Sequence, residues 1–361
     1  KKPKLKFGNE KVKDTIEVNL KNSEDCPRYA GRLITGIEVG ESPQWLKSRL
    51  EAVDINSINN VVDATNYVML ELGQPIHAFD VNHLKGGKII IDQSKKGERF
   101  TTLDGTEIKL TGQELMIRDG ERPVALAGIV GGLNSGVTEA TQDVFIETAY
   151  FTQRTVRQTS RRFGIETDSC YRFSRGTDPE NVITAMDRVC ELIQEVAGGL
   201  VSKDHYDDYP HPVKHKPIKV KLSFVEQKMG YKIKSKDFET WMKRLGCKVD
   251  KKDHHYKVLP PAWRWDLFYD VDLVEEYARL HGYDQIGENL PELHTEPSFH
   301  DEQYLKEKQL EGVLLAQGAM QAMNYHFING KEQLAVLGST EKSKNLGLHV
   351  AAEPVGVKNP L

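Results

Sequence analysis

The chain holds 361 residues, too long for one ordinary small domain and long enough for two or three, each with its own core. Apolar residues at 39%, charged residues at 28% and aromatics at 8% exclude a disordered chain; no apolar run approaches the roughly 20 residues of a bilayer span and no signal-peptide pattern opens the sequence, which reads as cytoplasmic. The formal net charge of -4, from 49 basic and 53 acidic residues, excludes a whole-surface nucleic-acid binder and leaves room only for local basic patches.

The chain opens on the lysine-rich "KKPKLKFGNEKVK" without a methionine, and residues 1–25 are expected to be an N-terminal extension or the remnant of an artificial boundary. "RYAGRLITGIEV" alternates as a strand does, and Ser42 and Pro43 take the N-cap and first-turn positions of a helix over "SPQWLKSRLEAV". A second helix is expected over "NVVDATNYVMLEL", closed by Gly73. From Lys88 to Tyr150, "KIIID", "RFTTLDGTEIKL", "ELMIRDGERPVALAG" and "DVFIETAY" are short β-rich runs divided by Asp-Gly turns, which predicts a sheet of hairpins. Helices return with "TVRQTSRRFG" and "DPENVITAMDRVCELIQEVAGG", the latter expected to be capped by Asp178, opened by Pro179 and stopped at Gly198-Gly199. A first domain is therefore expected over 26–204 and a polar, proline-bearing linker over 205–216. A compact domain follows over 217–291, and 292–361 begins another with an amphipathic helix and a strand, stopping at "VGVKNPL" as a new apolar segment starts.

Several patterns could carry chemistry. In "WRWDLFYDVDLVEEYARLHGYD", Asp272, Glu275 and Glu276 stand at i, i+3 and i+4, so helix geometry puts their carboxylates on one face and Leu273, Val274, Tyr277 and Leu280 on the other. A turn could bring Asp266 over that acidic face. Oxygen-only ligands of this kind suit Mg²⁺, whereas the plainer reading is that first-turn acids complement the helix dipole. Glu147 interrupts an apolar β-run in "VFIETAYF", so its carboxylate points outward or is buried with a specific donor. His77 follows a Gly-Gln-Pro turn, and a lone histidine is more often structural than catalytic. The glycines of "LAGIVGGLNSG" allow close backbone approach to a ligand or simply tight turns. Thr167, Asp168 and Ser169 sit between two arginine-bearing segments, as a capped turn or a small polar pocket. Arg154, Arg157, Arg161 and Arg162 form either a nucleic-acid patch or a solvated helix face. Cys26, Cys170, Cys190 and Cys247 show no ligand spacing and read as reduced thiols, and no GxGxxG, Walker, HExxH or GxSxG pattern occurs.

In order, "CPRYAGRLITG", "SPQWLKSRL", "NNVVDATNYVMLELGQPIHAFD", "TLDG", "AGIVGG", "SGV", "RRFGIETDSCYRFSRGTDP" and "WRWDLFYDVDLVEEYARLHGYDQI" closely resemble the bacterial phenylalanyl-tRNA synthetase beta subunit, from about Cys26 to Pro291 and more weakly to Pro360. The resemblance implies an α+β multidomain chain. Its parts are a mixed α/β editing domain with a hairpin-rich sheet, a small winged-helix-like domain, and the start of an inactive class II synthetase-like domain. It implies an editing pocket at His77, Gly131, Glu147, Thr167 and Ser169 that hydrolyses tyrosine wrongly attached to the phenylalanine tRNA. Ser169 departs from the alanine common in the family. It also implies one Mg²⁺ held by Asp266, Asp272, Glu275 and Glu276, without Asp270, near the interface with the alpha subunit. The expected partners are that subunit, in an alpha2beta2 heterotetramer with ATP bound in the alpha subunit, and the tRNA. By the resemblance, the family's amino-terminal tRNA-binding fold and carboxyl-terminal anticodon-binding module are expected to be missing, so the chain alone is expected to edit at most and not to aminoacylate. A catalytically inactive RNA-binding or assembly module, and a magnesium-dependent hydrolase centred on the acidic helix, are the competing readings.

Overall fold

Arg28–Ile37, buried along nearly its whole length, is the strand on which most of the molecule is built. The structure is a computed structural model that describes residues 3–253, 255–287 and 301–323. The chain divides into two units, Lys1–Gly287 and Glu288–Leu361.

In the first unit, Arg28–Ile37 pairs antiparallel with Val144–Tyr150, and that strand pairs in turn with Ile76–Asp80. Gly198–Val201 and Tyr206–Asp208 add to the other side of Arg28–Ile37. Side chains alternate across a strand, so this sheet has two buried faces. Ala30, Ile34, Val144 and Ile146 face one core, closed by the helices Asn60–Leu72 and Val182–Val196 through Val61, Val68, Val189 and Ile193. Tyr29, Leu33, Phe79 and Phe145 face a second core, shared with Ile89, Ile117 and Leu126 of a second sheet. That sheet runs Glu17–Leu20, Lys88–Gln93, Leu115–Arg118, Pro123–Leu126 and Val130–Gly131, all antiparallel except the first pair. Each large apolar side chain so buried stabilises the fold by roughly 1.5–3 kcal/mol.

Mixed α/β architecture and a hairpin-rich sheet are as expected, but several local readings need correction. Residues before 26 are no loose extension: Glu17–Leu20 is an edge strand, and Val12 and Ile16 are buried in the second core. The helix after Ser42 runs Gln44–Glu51 without a side-chain cap, because the Ser42 hydroxyl donates instead to Asp63 Oδ2 at 2.6 Å. The long helix begins at Val182 rather than at Pro179, since Asp178 accepts the Glu180 N–H and forms a turn before it. Tyr206–Asp208, inside the expected linker, is a strand held by the bidentate pair of Arg28 with Asp207. Asn60–Leu72 is as read, capped by Asn59 and ended by Gly73 at φ 71°. All four cysteines are free and buried.

A third core lies in residues 218–287. Ile218–Lys221, His255–Leu259 and Lys248–Lys252 form an antiparallel sheet, flanked by the helices Leu222–Met229, Ser235–Arg244 and Asp270–His281. Two helices followed by a hairpin and a third helix accord with the winged-helix-like expectation. The Trp265 ring stacks on Tyr150 at 5.5 Å and 9°, and its Nε1 donates to the Thr177 carbonyl at 2.9 Å, which joins this part to the sheet. In the second unit a helix is present as expected, Glu302–Ala316, capped by Asp301, but its apolar residues are exposed and do not gather on one face, so it is not amphipathic; the expected strand after it lies outside the described residues.

Candidate active site

The strand register decides which side chains can meet. Glu147 lies opposite His77 on one neighbouring strand and Gly31 on the other. Tyr29, His77 and Glu147 therefore share the face that looks toward the second sheet. Tyr29 Oη donates to Glu147 Oε2 at 2.7 Å, with Tyr29 fully buried and Glu147 6% exposed. Burial pushes the Glu147 carboxyl up to about 8, and the Tyr29 hydrogen bond offsets only part of that shift. The acid is thus largely protonated at neutral pH, with one oxygen engaged. Of the two readings left open for Glu147, the buried one with a specific donor holds.

His77 is equally enclosed. Its ring lies 4.4 Å from that of Phe79, its Nε2 is buried without a hydrogen-bond partner among the described residues, and burial pushes its pKa down to about 4. A neutral imidazole with an unused ring nitrogen is an unusual thing to enclose, because an unpaired buried polar atom costs about 1–3 kcal/mol. Gly131 is what lets the ring sit there: a Cβ at that position would lie 2.8 Å from His77 Cε1. Gly128 turns the chain just before it, at φ 71°.

Together these groups border a half-open cleft of about 70 Å³ between the two sheets, with His77, Gly131, Glu147 and Ser169 in its lining and Ile76, Ile129 and Phe173 as apolar walls. The structure thus brings four of the five expected pocket residues to one place. Thr167 stands just outside. Its hydroxyl donates to the Ile129 carbonyl at 2.7 Å and accepts from the Cys170 N–H at 3.0 Å, so it caps the helix Asp168–Phe173 and ties it to the cleft wall. Sequence reasoning did not single out Tyr29. Its alternation with Gly31 was visible, but the pairing that sets it beside Glu147 joins residues far apart in the chain.

The acidic set near Trp265 is arranged differently from expectation. Among the described residues no three ligand-type side chains are placed to hold a metal ion. Asp266 accepts from Arg264 Nε and Nη2 at 2.8 and 2.6 Å, and Glu276 accepts from Arg264 Nη1 at 3.0 Å and Arg279 Nη2 at 2.8 Å. Asp272 Oδ2 is turned to the backbone N–H groups of Phe268 and Tyr269, and Glu275 is exposed. Glu276 lies with Leu273 and Tyr277 on the buried side of the helix, not on an acidic outer face. Hydrogen bonding to Arg264 lowers the Asp266 pKa; at Glu276, burial acts to raise the pKa, but the Arg279 and Arg264 bonds outweigh it. A guanidinium supplies the positive charge at the point where Asp266 and Glu276 converge, so the residues as placed do not fit a resident Mg²⁺.

Comparison with known proteins follows the same division of the chain. Residues 25–198 match the B3/4 domain and residues 218–283 the tRNA synthetase B5 domain. A B3/4 domain followed by a B5 domain marks a chain of the aminoacyl-tRNA synthetase class. The phenylalanine-tRNA ligase beta subunit of Bdellovibrio bacteriovorus is 50% identical over 357 residues, 99% of this chain and 44% of that protein. Those of Syntrophus aciditrophicus and Thermotoga maritima are 39% and 36% identical, over 98% and 99% of this chain and 43% and 44% of theirs. The chain belongs to the phenylalanine-tRNA ligase beta-subunit family, and it spans less than half the length of these relatives. A solved N-terminal fragment of the phenylalanyl-tRNA synthetase beta subunit from Pyrococcus horikoshii is similar at 17% identity and a TM-score of 0.37, covering 78% of each chain. No helix among the described residues is long and apolar enough to cross a membrane.

Proposed function

We propose that the cleft is an editing site that hydrolyses the ester joining tyrosine to the phenylalanine tRNA. In this reading the whole protein, with an alpha subunit in an alpha2beta2 assembly, attaches phenylalanine to that tRNA using ATP bound in the alpha subunit, and the present chain proofreads. A site shaped for phenylalanine rejects an added hydroxyl only as well as its walls allow, so a second site that prefers tyrosine is needed.

The observation that carries the reading is the buried Glu147 in the wall of the cleft, held by Tyr29 at one oxygen. Its other oxygen has no partner among the described residues and is free to meet a phenolic hydroxyl. With the carboxyl protonated this is a hydrogen bond between neutral groups, and it favours tyrosine over phenylalanine by roughly 0.5–1.5 kcal/mol, about 2- to 13-fold. The cleft is smaller than the roughly 150 Å³ that takes a benzene ring, so entry of an aromatic side chain requires the Ile129 and Phe173 walls to give.

His77 is the residue to hold the attacking water. With a pKa of about 4 it is a weak base, so it orients water through a neutral ring nitrogen rather than removing a proton outright. Water adds to the ester carbonyl, the bond to the ribose oxygen breaks, and tyrosine leaves with the tRNA hydroxyl restored. Ser169 lines the wall beside the substrate, and Thr167 fixes that wall from behind.

The test is release of tyrosine from tyrosyl-tRNA by the wild-type chain and by Glu147→Ala. A loss of roughly two- to tenfold in kcat/KM for the tyrosyl ester is expected. Equal rates would remove Glu147 from the mechanism.

A further inference from the structure

Beside the cleft, on the far side of the short helix Asp168–Phe173, lies a groove of about 540 Å³ bordered by Arg157, Arg161, Arg175 and Tyr171. From this groove we infer a binding track for the 3′-terminal single-stranded nucleotides of an aminoacylated RNA, which delivers the ester to the cleft. The inference rests on the editing reading for the identity of the RNA, but its own evidence is separate.

The geometry of the helix supplies the connection. Ser169 and Phe173 are one turn apart and border the cleft, while Cys170 and Ser174, each the next residue along, border the groove. A chain lying in the groove thus needs to pass only one helix to place its end at Glu147. The charge is suited to a polyanion. Three arginines face a single acid, Glu166, and Arg161 is exposed with no hydrogen bond or ion pair among the described residues. Arg157 is held at the Ser174 carbonyl at 2.6 Å, which keeps its guanidinium at the rim.

Tyr171 distinguishes RNA from an acidic peptide. The residue is 58% exposed, and the Arg175 guanidinium sits 3.6 Å over the ring centroid, tied by Nη1 to the Tyr171 carbonyl at 3.1 Å. The Arg175 cation lies on one face of the ring, and the exposure of the residue at the groove leaves aromatic surface for a base. Phosphate-neutralising arginines along an aromatic platform are what sequence-tolerant single-strand binding uses.

The experiment uses the full chain, with Arg161→Glu and Tyr171→Ala. These positions lie outside the cleft lining, and thermal unfolding near that of wild type would show both variants folded. Three quantities are read: binding of phenylalanine tRNA against salt, hydrolysis of tyrosyl-tRNA, and hydrolysis of tyrosine ethyl ester, which has no RNA. Arg161→Glu is expected to weaken tRNA binding roughly tenfold and to reduce the salt slope by about one. Both variants should raise KM for tyrosyl-tRNA about tenfold and leave the ethyl ester within about twofold of wild type. Unchanged tRNA binding and tyrosyl-tRNA KM in both variants would overturn the groove. A wild-type chain inactive on both esters would sink the editing reading instead, and the binding arm would then still decide whether the groove holds RNA.

Discussion

Tyr29 Oη donates to Glu147 Oε2 at 2.7 Å across two adjacent strands, with Tyr29 fully buried and Glu147 reaching only the cleft. The bond decides which carboxyl oxygen remains for a ligand. Tyr29→Phe keeps the ring in the core and deletes only the donor. It should cost about 1–3 kcal/mol of stability, because a buried acceptor loses its partner. It should also lower the preference for tyrosyl over phenylalanyl ester several-fold by letting the carboxyl rotate. Denaturant titration and paired ester assays read the two effects. An unchanged preference would mean that Tyr29 supports the core and does not aim Glu147.

The pH dependence of stability gives an independent test of how Glu147 is buried. Below its ordinary value of 4.5 the carboxyl is protonated in both the folded and unfolded chain. Between 4.5 and about 8 the unfolded chain releases that proton and the folded chain keeps it, so rising pH favours unfolding. Stability attributable to this group is therefore fully present below 4.5 and is lost as pH climbs to about 8, at up to about 1.4 kcal/mol per pH unit. Glu147→Gln has no such proton. The difference in unfolding free energy between variant and wild type should grow steadily across that window and level off above it. A difference that stays flat would show that Glu147 is ionised in the folded protein.

Gly131 makes a sharper steric claim. Its backbone comes so close to His77 that a Cβ would meet Cε1 at 2.8 Å, and the ring, packed against Phe79, has little room to retreat. Gly131→Ala should displace the imidazole, lower ester hydrolysis at least tenfold and cost about 1–3 kcal/mol through overpacking. Restored activity in the double variant Gly131→Ala, Phe79→Leu, where the ring can shift, would locate the defect at that contact. Full activity in the single variant would show that His77 is not positioned by Gly131.

Local signals were the legible part of this molecule. The Asn60–Leu72 helix announces itself by its period and its stop at Gly73, and the hairpins by Asp-Gly turns between apolar runs. What stayed hidden depends on contacts between distant residues. Ser42 looks like a cap until Asp63, in another helix, claims its hydroxyl. Tyr206–Asp208 reads as linker because its composition is polar, yet Arg28 draws Asp207 into the sheet. Pairing also puts Tyr29 beside Glu147. The acidic helix shows the same limit most plainly: spacing puts Glu276 on an acidic face, whereas Arg264 and Arg279 hold it on the buried side with Leu273 and Tyr277.

Of these two arginines, Arg264 is the one whose removal separates two accounts of the acidic cluster. It bridges Asp266, whose side chain is 63% exposed, to Glu276, which is 9% exposed and can turn to little else but Arg279. Arg264→Met keeps an apolar stem of similar bulk and removes the guanidinium and its charge. Glu276 then lies half-paired on the buried side of its helix, and a loss of about 1–3 kcal/mol is expected, most of it from Glu276. Asp266 contributes little because water screens it. If the guanidinium occupies the point where these carboxylates meet, millimolar Mg²⁺ should leave the unfolding temperature of the wild-type chain unchanged. The same ion should recover part of the loss in Arg264→Met, where two carboxylates converge with no cation between them. Calcium and potassium at equal ionic strength control for site size and for screening. A rise in the wild-type unfolding temperature that is specific to Mg²⁺ would show that an ion displaces Arg264 and gathers these acids itself.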